Sequence, residues 1–126
     1  MAKFGTAINC IDGRVQELVL EYLRKHYGVD WVDMVTEPGA DKLLGEKKSN
    51  AERIRHVRKS AKISVEGHKS IIIAIVGHHD CRGNPSTRKG HFAQIRSAVK
   101  LANSWKFPIE VIGLWVNEQW IVEAVE

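Results

Sequence analysis

The sequence holds two cysteines, and each lies in a short run of polar residues: Asn9-Cys10-Ile11-Asp12-Gly13-Arg14 and Gly77-His78-His79-Asp80-Cys81-Arg82-Gly83. Cys10, His78 and Cys81 offer two thiolates and one imidazole, a donor set that suits zinc and leaves one of four tetrahedral positions free. Two residues separate His78 from Cys81, so one loop can supply both ligands; His79, with a one-residue gap, is the poorer alternative. Asp12, just beyond Cys10, can fill the fourth position or accept a hydrogen bond from zinc-bound water. Arg14 would hold that carboxylate through paired N–H donors. The plainer alternatives are cysteines buried as small hydrophobes and an Asp12–Arg14 ion pair that caps the following helix. Asp80 is read as a residue that bonds loop amides, and His26, His56, His68 and His91 as surface or packing residues.

Other cysteine chemistry is excluded by spacing. A phosphate-cradling loop needs cysteine, five residues and then arginine, but Arg88 lies one place too far from Cys81 and Gln16 stands where Cys10 would need its arginine. No glycine-rich nucleotide loop occurs.

The two runs need elements that bring them together across about seventy positions. Lys3 to Asn9 reads as a buried strand ending on the first run. From Gly13 to about Tyr27, Val15, Leu18, Val19, Tyr22, Leu23 and His26 form one helical stripe, stopped by Gly28. Trp31 to Thr36 is a second strand, closed by the turn Glu37-Pro38-Gly39. Residues 40–48 are ambiguous. Ser49-Asn50-Ala51-Glu52 matches a capping box with Ser49 as the cap, opening a basic helix that buries Ile54, Val57, Ala61 and Val65 and runs to Gly67.

Ser70 to Val76 is continuously apolar, the pattern of a central parallel strand covered on both faces, and it ends on the second run. A helix from about Gly90 to Trp105 turns Phe92, Ile95, Ala98, Val99 and Ala102 to one side. Ile109 to Val116 and Trp120 to Val125 read as a hairpin joined through Asn117-Glu118-Gln119. Strands alternating with helices predict an α/β fold with a mainly parallel sheet flanked by helices and one antiparallel C-terminal edge strand. In such sheets sites form beyond the C-terminal strand ends, where both runs sit.

Bulk properties agree with residues 1–126 as one domain: 44% hydrophobic and 27% charged residues suit a folded chain, neither disordered nor fibrous. No apolar run approaches the roughly 18 to 20 residues of a membrane span. The N-terminus lacks a signal peptide's apolar segment, so a cytoplasmic location is expected, where two cysteines point to metal or catalysis before a disulfide. The net charge of +4 is uneven, with Lys47, Lys48, Arg53, Arg55, Arg58, Lys59 and Lys62 in one segment. No aromatic residues interleave with these cations to stack on bases, so we read a solvated helix face and do not expect nucleic acid as a partner. Four tryptophans, among them Trp115 and Trp120, are expected in the core or a subunit interface.

The two runs together resemble the zinc motifs of the β-class carbonic anhydrases, Cys-x-Asp-x-Arg and His-x-x-Cys, each after an apolar strand. The similarity extends to Val32–Gly39, to Ile71–Gly77 and to the final hairpin. It implies Zn2+ on Cys10, His78 and Cys81, with Asp12 and Arg14 as a catalytic dyad beside the open position. The activity it implies is a zinc lyase of carbonate dehydratase type, in which a zinc-bound hydroxide converts carbon dioxide reversibly to bicarbonate. Asp12 as fourth ligand would close the site. The resemblance also implies a homodimer, without the N-terminal helical arm of longer members. Two features depart from the family: Thr36-Glu37-Pro38-Gly39-Ala40 stands in place of Arg-Asn-Ala-Gly-Asn, and Arg82 replaces a glycine after the second cysteine.

Three other functions fit parts of the sequence. Hydrolysis of a related small electrophile, such as carbonyl sulfide or carbon disulfide, would use the same hydroxide. A non-catalytic zinc-binding protein would have its site closed by Asp12. Polyanion binding would use the basic helix.

Overall fold

The computed structural model describes residues 1–46, 48 and 50–126. Five strands, β1 (Phe4–Asn9), β2 (Trp31–Thr36), β3 (Ile72–His78), β4 (Glu110–Val116) and β5 (Val122–Val125), form one sheet in the order β2-β1-β3-β4-β5. The first four run parallel, and β5 returns antiparallel to β4 at the edge. The expected α/β sheet with its antiparallel C-terminal edge is therefore present, and β3 lies at its centre.

Four helices cover the sheet: α1 (Gln16–Tyr27), α2 (Ala40–Gly45), α3 (Ala51–Gly67) and α4 (Arg88–Ser104). The two-residue alternation of strand side chains sorts the core into two layers. Ile72, Ala74 and Val76 pack with Val15, Val19 and Leu23 under α1. Ile73 and Ile75 pack with Leu43 and Leu44 of α2, Val57 and Ala61 of α3, and Ala98 and Ala102 of α4. All seven residues of β3 are buried, as a central parallel strand requires.

Several boundaries differ from the sequence reading. The strand expected at Ser70–Val76 runs from Ile72 through His78, because its pairing with β4 continues from Ile72↔Glu110 to His78↔Val116. His78 is thus fixed by a strand backbone and not by a loop. The helix after the first run begins with a 3₁₀ turn at Gly13–Val15, capped by Asp12, whose side chain accepts from the Arg14 amide. Residues 40–45, ambiguous in sequence, are helical. The cap of α3 is Asn50, which accepts from the amides of Glu52 and Arg53; Ser49, read as the cap, lies outside the described residues.

Helix α4 starts two residues earlier than expected, with Thr87 accepting from the Gly90 amide. The β4–β5 connection is also longer than expected. Asn117 Oδ1 accepts from the amides of Gln119 and Ile121, which closes a tight loop and delays β5 to Val122.

Glycine at 77 has a steric reason. A Cβ there would lie 2.5 Å from Asp41 Oδ2 and 2.8 Å from Ile95 Cδ1. Gly77→Ala is therefore expected to destabilise the fold by about 1–3 kcal/mol in urea unfolding. Gly67→Ala, at a helical position where the added methyl meets nothing within 4 Å, should leave stability unchanged or slightly higher.

Candidate metal centre

Parallel pairing of β1 with β3 (Ile8↔Ile75) lets Cys10, just past the end of β1, approach His78 at the end of β3 and Cys81 three residues beyond. The Cys10 and Cys81 sulfurs are 3.9 Å apart. One donor atom from each of Cys10, His78 and Cys81 lies within 4.8 Å of the others, and all three residues are buried. Tetrahedral zinc with bonds of about 2.3 Å to sulfur would set two thiolates about 3.8 Å apart, close to the observed separation.

His78 is prepared for a ligand. Its Nδ1 lies 2.7 Å from the His79 carbonyl, an acceptor only, so Nδ1 donates and the lone pair is left on Nε2. That Nε2 is buried and has no hydrogen-bond partner. An unpartnered imidazole nitrogen facing two sulfurs is the defect that a metal ion repairs. His79, the alternative ligand, is not in this group; its ring packs edge-on against Trp120, with centroids 4.3 Å apart.

The sulfurs are electrostatically distinct. The hydrogen bond from Cys81 lowers the Cys10 pKa most, burial opposes it, and His78 and the amides of Gly39 and Asp12 lower it further. Cys81 is pushed up by that bond with Cys10, then by burial and by the negative charges of Cys10 and Asp41. A negative charge is therefore favoured on Cys10 and disfavoured on Cys81. Burial works against the imidazolium of His78, but Cys10, the His79 carbonyl and Asp12 carry its pKa above the ordinary value.

Asp12 and Arg14 form the expected pair. Arg14 Nη2 is 2.7 Å from Asp12 Oδ2, and Arg14 Nε is 3.1 Å from Oδ1. The side-chain hydrogen bond from Arg14 holds the Asp12 pKa down at about 2, so the carboxylate stays ionised at neutral pH. The donor group that could hold a metal does not include Asp12. Arg14 also reaches Asp80, at 3.2 Å to both its Oδ2 and its carbonyl, so Asp80 braces the dyad where a bond to loop amides was expected.

Three features supporting the centre lie outside the two runs. Gly39, at φ +62°, approaches Gly83 so closely that a Cβ would sit 2.6 Å from its carbonyl oxygen, clamping the turn after β2 onto the loop that carries Cys81. Behind that loop is a buried polar group. Asp41 Oδ2 is 2.6 Å from His91 Nδ1, and Asn84 Nδ2 donates to Asp41 Oδ1 at 2.9 Å and to Gln94 Oε1 at 2.7 Å. Asn84 also closes the loop through its amide, bonded to the Cys81 carbonyl at 3.2 Å. Of the two places expected for His91, surface or packing, the structure shows the second: it shares the 91, 95, 98, 102 spacing of the buried face of α4, and that spacing signals its burial. The buried carboxylate of Asp41 has no such signal.

A cleft of about 420 Å³, lined by Cys10, Ile11, Asp12, Pro38, Arg82 and Gly83, opens on the centre. Fold and donors together define an α/β protein with a buried Cys-His-Cys group that could hold a metal ion. Comparison with known families narrows this: a family model described as "Putative carbonic anhydrase" matches residues 1–126, and the chain belongs to that family. No curated protein matches it in sequence.

Among solved structures the fold is similar to β-carbonic anhydrase isoform I of Trichomonas vaginalis, with 13% identity, TM-score 0.62 and coverage of 98% of this chain and 84% of that one. It is also similar to the β-carbonic anhydrase CafA of Aspergillus fumigatus (14% identity, TM-score 0.52, 99% and 76% covered). Tetrameric β-carbonic anhydrases of Sordaria macrospora give 13% identity, TM-score 0.53 and coverage of 98% and 80%.

Cobalt(II) titration of the metal-free chain should saturate at about one ion per chain, with thiolate-to-cobalt charge-transfer absorption. Cys10→Ser should weaken that band, and the double change with Cys81→Ser should abolish it. An unaltered band in the double variant would place the ion elsewhere.

Proposed function

We propose that this chain is a zinc-dependent lyase that hydrates carbon dioxide reversibly to bicarbonate. The observation that carries the reading is the buried Cys10–His78–Cys81 donor group with the Asp12–Arg14 pair beside its opening. Cys10, His78 and Cys81 would hold zinc. When bound, zinc supplies a Lewis acid that brings the pKa of water to about 7, so that a nucleophile exists at neutral pH.

Asp12 accepts a hydrogen bond from the nucleophile and turns its lone pair toward the cleft. Arg14 keeps that carboxylate ionised and in plane, so it remains an acceptor throughout. Attack forms one C–O bond and breaks one C–O π bond; the proton leaves to solvent, and bicarbonate results. The mouth, where Ile11 and Pro38 are apolar, suits a small uncharged substrate, while Arg82 places a cation where the anionic product forms.

A homo-oligomer fits the same reading, since Ile11 beside the mouth is 61% exposed and would be covered by a second copy. We place the chain in the cytoplasm; among the described residues no helix is long and apolar enough to cross a membrane.

Stopped-flow hydration with zinc-loaded protein should exceed background, and Cys10→Ser should remain at it. Asp12→Asn should retain zinc but lose about 10²-fold in kcat/KM, the scale of a misplaced proton acceptor. Background rates from fully zinc-loaded native chain would reject hydration, and turnover of carbonyl sulfide in the same sample would identify the alternative electrophile. Sedimentation velocity should give a species heavier than the 14.2 kDa chain; a monomer at working concentration would remove the oligomer.

A further inference from the structure

Trp120 has a backbone at φ +60°, in the left-handed region that a bulky L residue rarely occupies. The surrounding loop holds it there. Its amide bonds the Asn117 carbonyl at 2.9 Å, and the Asn117 amide bonds the Ile121 carbonyl at 3.0 Å. Asn117 Nδ2 donates to Glu123 Oε2 at 2.7 Å, and Glu123 is in turn bonded by Arg88 at 3.1 Å. Asn117, Ile121 and Glu123 of the hairpin and Arg88, the first residue of α4, thus maintain a backbone state that glycine or asparagine would occupy more readily.

The indole explains what that state achieves. The Arg14 guanidinium carbon sits 4.8 Å from the Trp120 ring centroid, and the His79 ring meets the same indole edge-on at 4.3 Å. His79 directly follows His78 in the chain. The indole therefore touches both Arg14 and the neighbour of a metal-site donor. The Arg14 side chain is 47% exposed. Its ion pairs with Asp12 and Asp80 supply charge, but exposed arginine pairs exchange readily between rotamers. A planar cation against an aromatic ring is restrained in orientation as well as position.

Resting on the reading of Asp12–Arg14 as the working pair, we propose that Trp120 is its positioning residue: the indole fixes the guanidinium plane, so that the carboxylate of Asp12 faces the metal-site mouth. The indole and Arg14 also line a separate cleft of about 660 Å³ with Gly13, Glu17, Leu18 and Glu21.

The test uses the zinc-loaded full chain and two readouts. Solvent exchange of the Arg14 Nε–H, followed by nitrogen-edited NMR, reports the guanidinium directly and needs no turnover. Stopped-flow hydration at matched zinc content reports its consequence. Trp120→Gly accepts the φ value without the ring, and Trp120→Leu keeps apolar bulk without an aromatic face. Each should speed Arg14 exchange about tenfold and lower kcat/KM by a similar factor, the scale of a lost aromatic–cation restraint and a shifted neighbour. Trp120→Phe should hold both readouts within about twofold of the native chain, because it keeps a face for the cation.

Unchanged Arg14 exchange in a folded Gly or Leu variant would overturn the proposal, as would a Phe variant that behaves like Leu. Should the native chain fail to hydrate carbon dioxide, the functional reading falls, and the exchange rates still decide whether Trp120 restrains Arg14.

Discussion

Parallel pairing between β1 and β3 is the constraint on which the centre depends. Ile8 faces Ile75, and Cys10 follows two residues later, just past the end of β1, in reach of His78 and Cys81. A shift of one residue would turn Ile8 and the isoleucines of β3 out of the layers they fill and would move one sulfur away from the imidazole. The hydrophobic core and the donor geometry are therefore set by the same register. Burial along the whole of β3, with Ile72 to Val76 alternating between two opposed layers, makes that register costly to change.

The loop carrying Cys81 needs separate support, because it lies beyond the sheet. That support is polar. Asp41 from α2, His91 and Gln94 from α4, and Asn84 from the loop itself meet in a site where the Asp41 and His91 side chains are 2% exposed. Such a group is costly to bury unless every member is bonded, and once bonded it specifies one arrangement more sharply than apolar packing does. Gly77 belongs to this arrangement, since only the lack of a Cβ leaves room for the Asp41 carboxylate against β3. The helix that follows the turn at Gly39 is thus joined to the Cys81 loop twice, through Asp41–Asn84 and through the approach of Gly39 to Gly83.

Sequence patterns carry the parts of this design that depend on period and spacing. The apolar run of β3, the stripe of α1 and the two cysteine-bearing runs are readable because each is local and regular. Charged residues that become buried are not. Asp41 sits in a segment without clear periodicity, and its partners are 43 and 50 residues away, so only the folded chain reveals it. His91 stands between these cases, as its spacing from Ile95, Ala98 and Ala102 places it on the buried face although its residue type suggests the surface. The placement of Trp120 is equally non-local: a tryptophan in a hairpin gives no local hint of φ +60° or of contact with Arg14, about a hundred residues earlier.

Charge balance connects these observations. Asp12 and Asp80 near the mouth and Asp41 behind Cys81 surround the centre with carboxylates, against which Arg14 supplies one fixed cation. A second thiolate beside the first would place another negative charge within 3.9 Å in a buried setting, which is why the Cys81 pKa is pushed up while that of Cys10 is lowered. A divalent cation would remove this conflict, since it would compensate both sulfurs and accept the unpartnered lone pair of His78. The surrounding carboxylates add negative charge that favours a cation at this donor group. Arg14 lies on the Asp12 and Asp80 carboxylates, at 2.7 and 3.2 Å, and so adds its charge to them and not to the sulfurs. The Trp120 indole, 4.8 Å from the guanidinium carbon, adds an aromatic face to these two ion pairs.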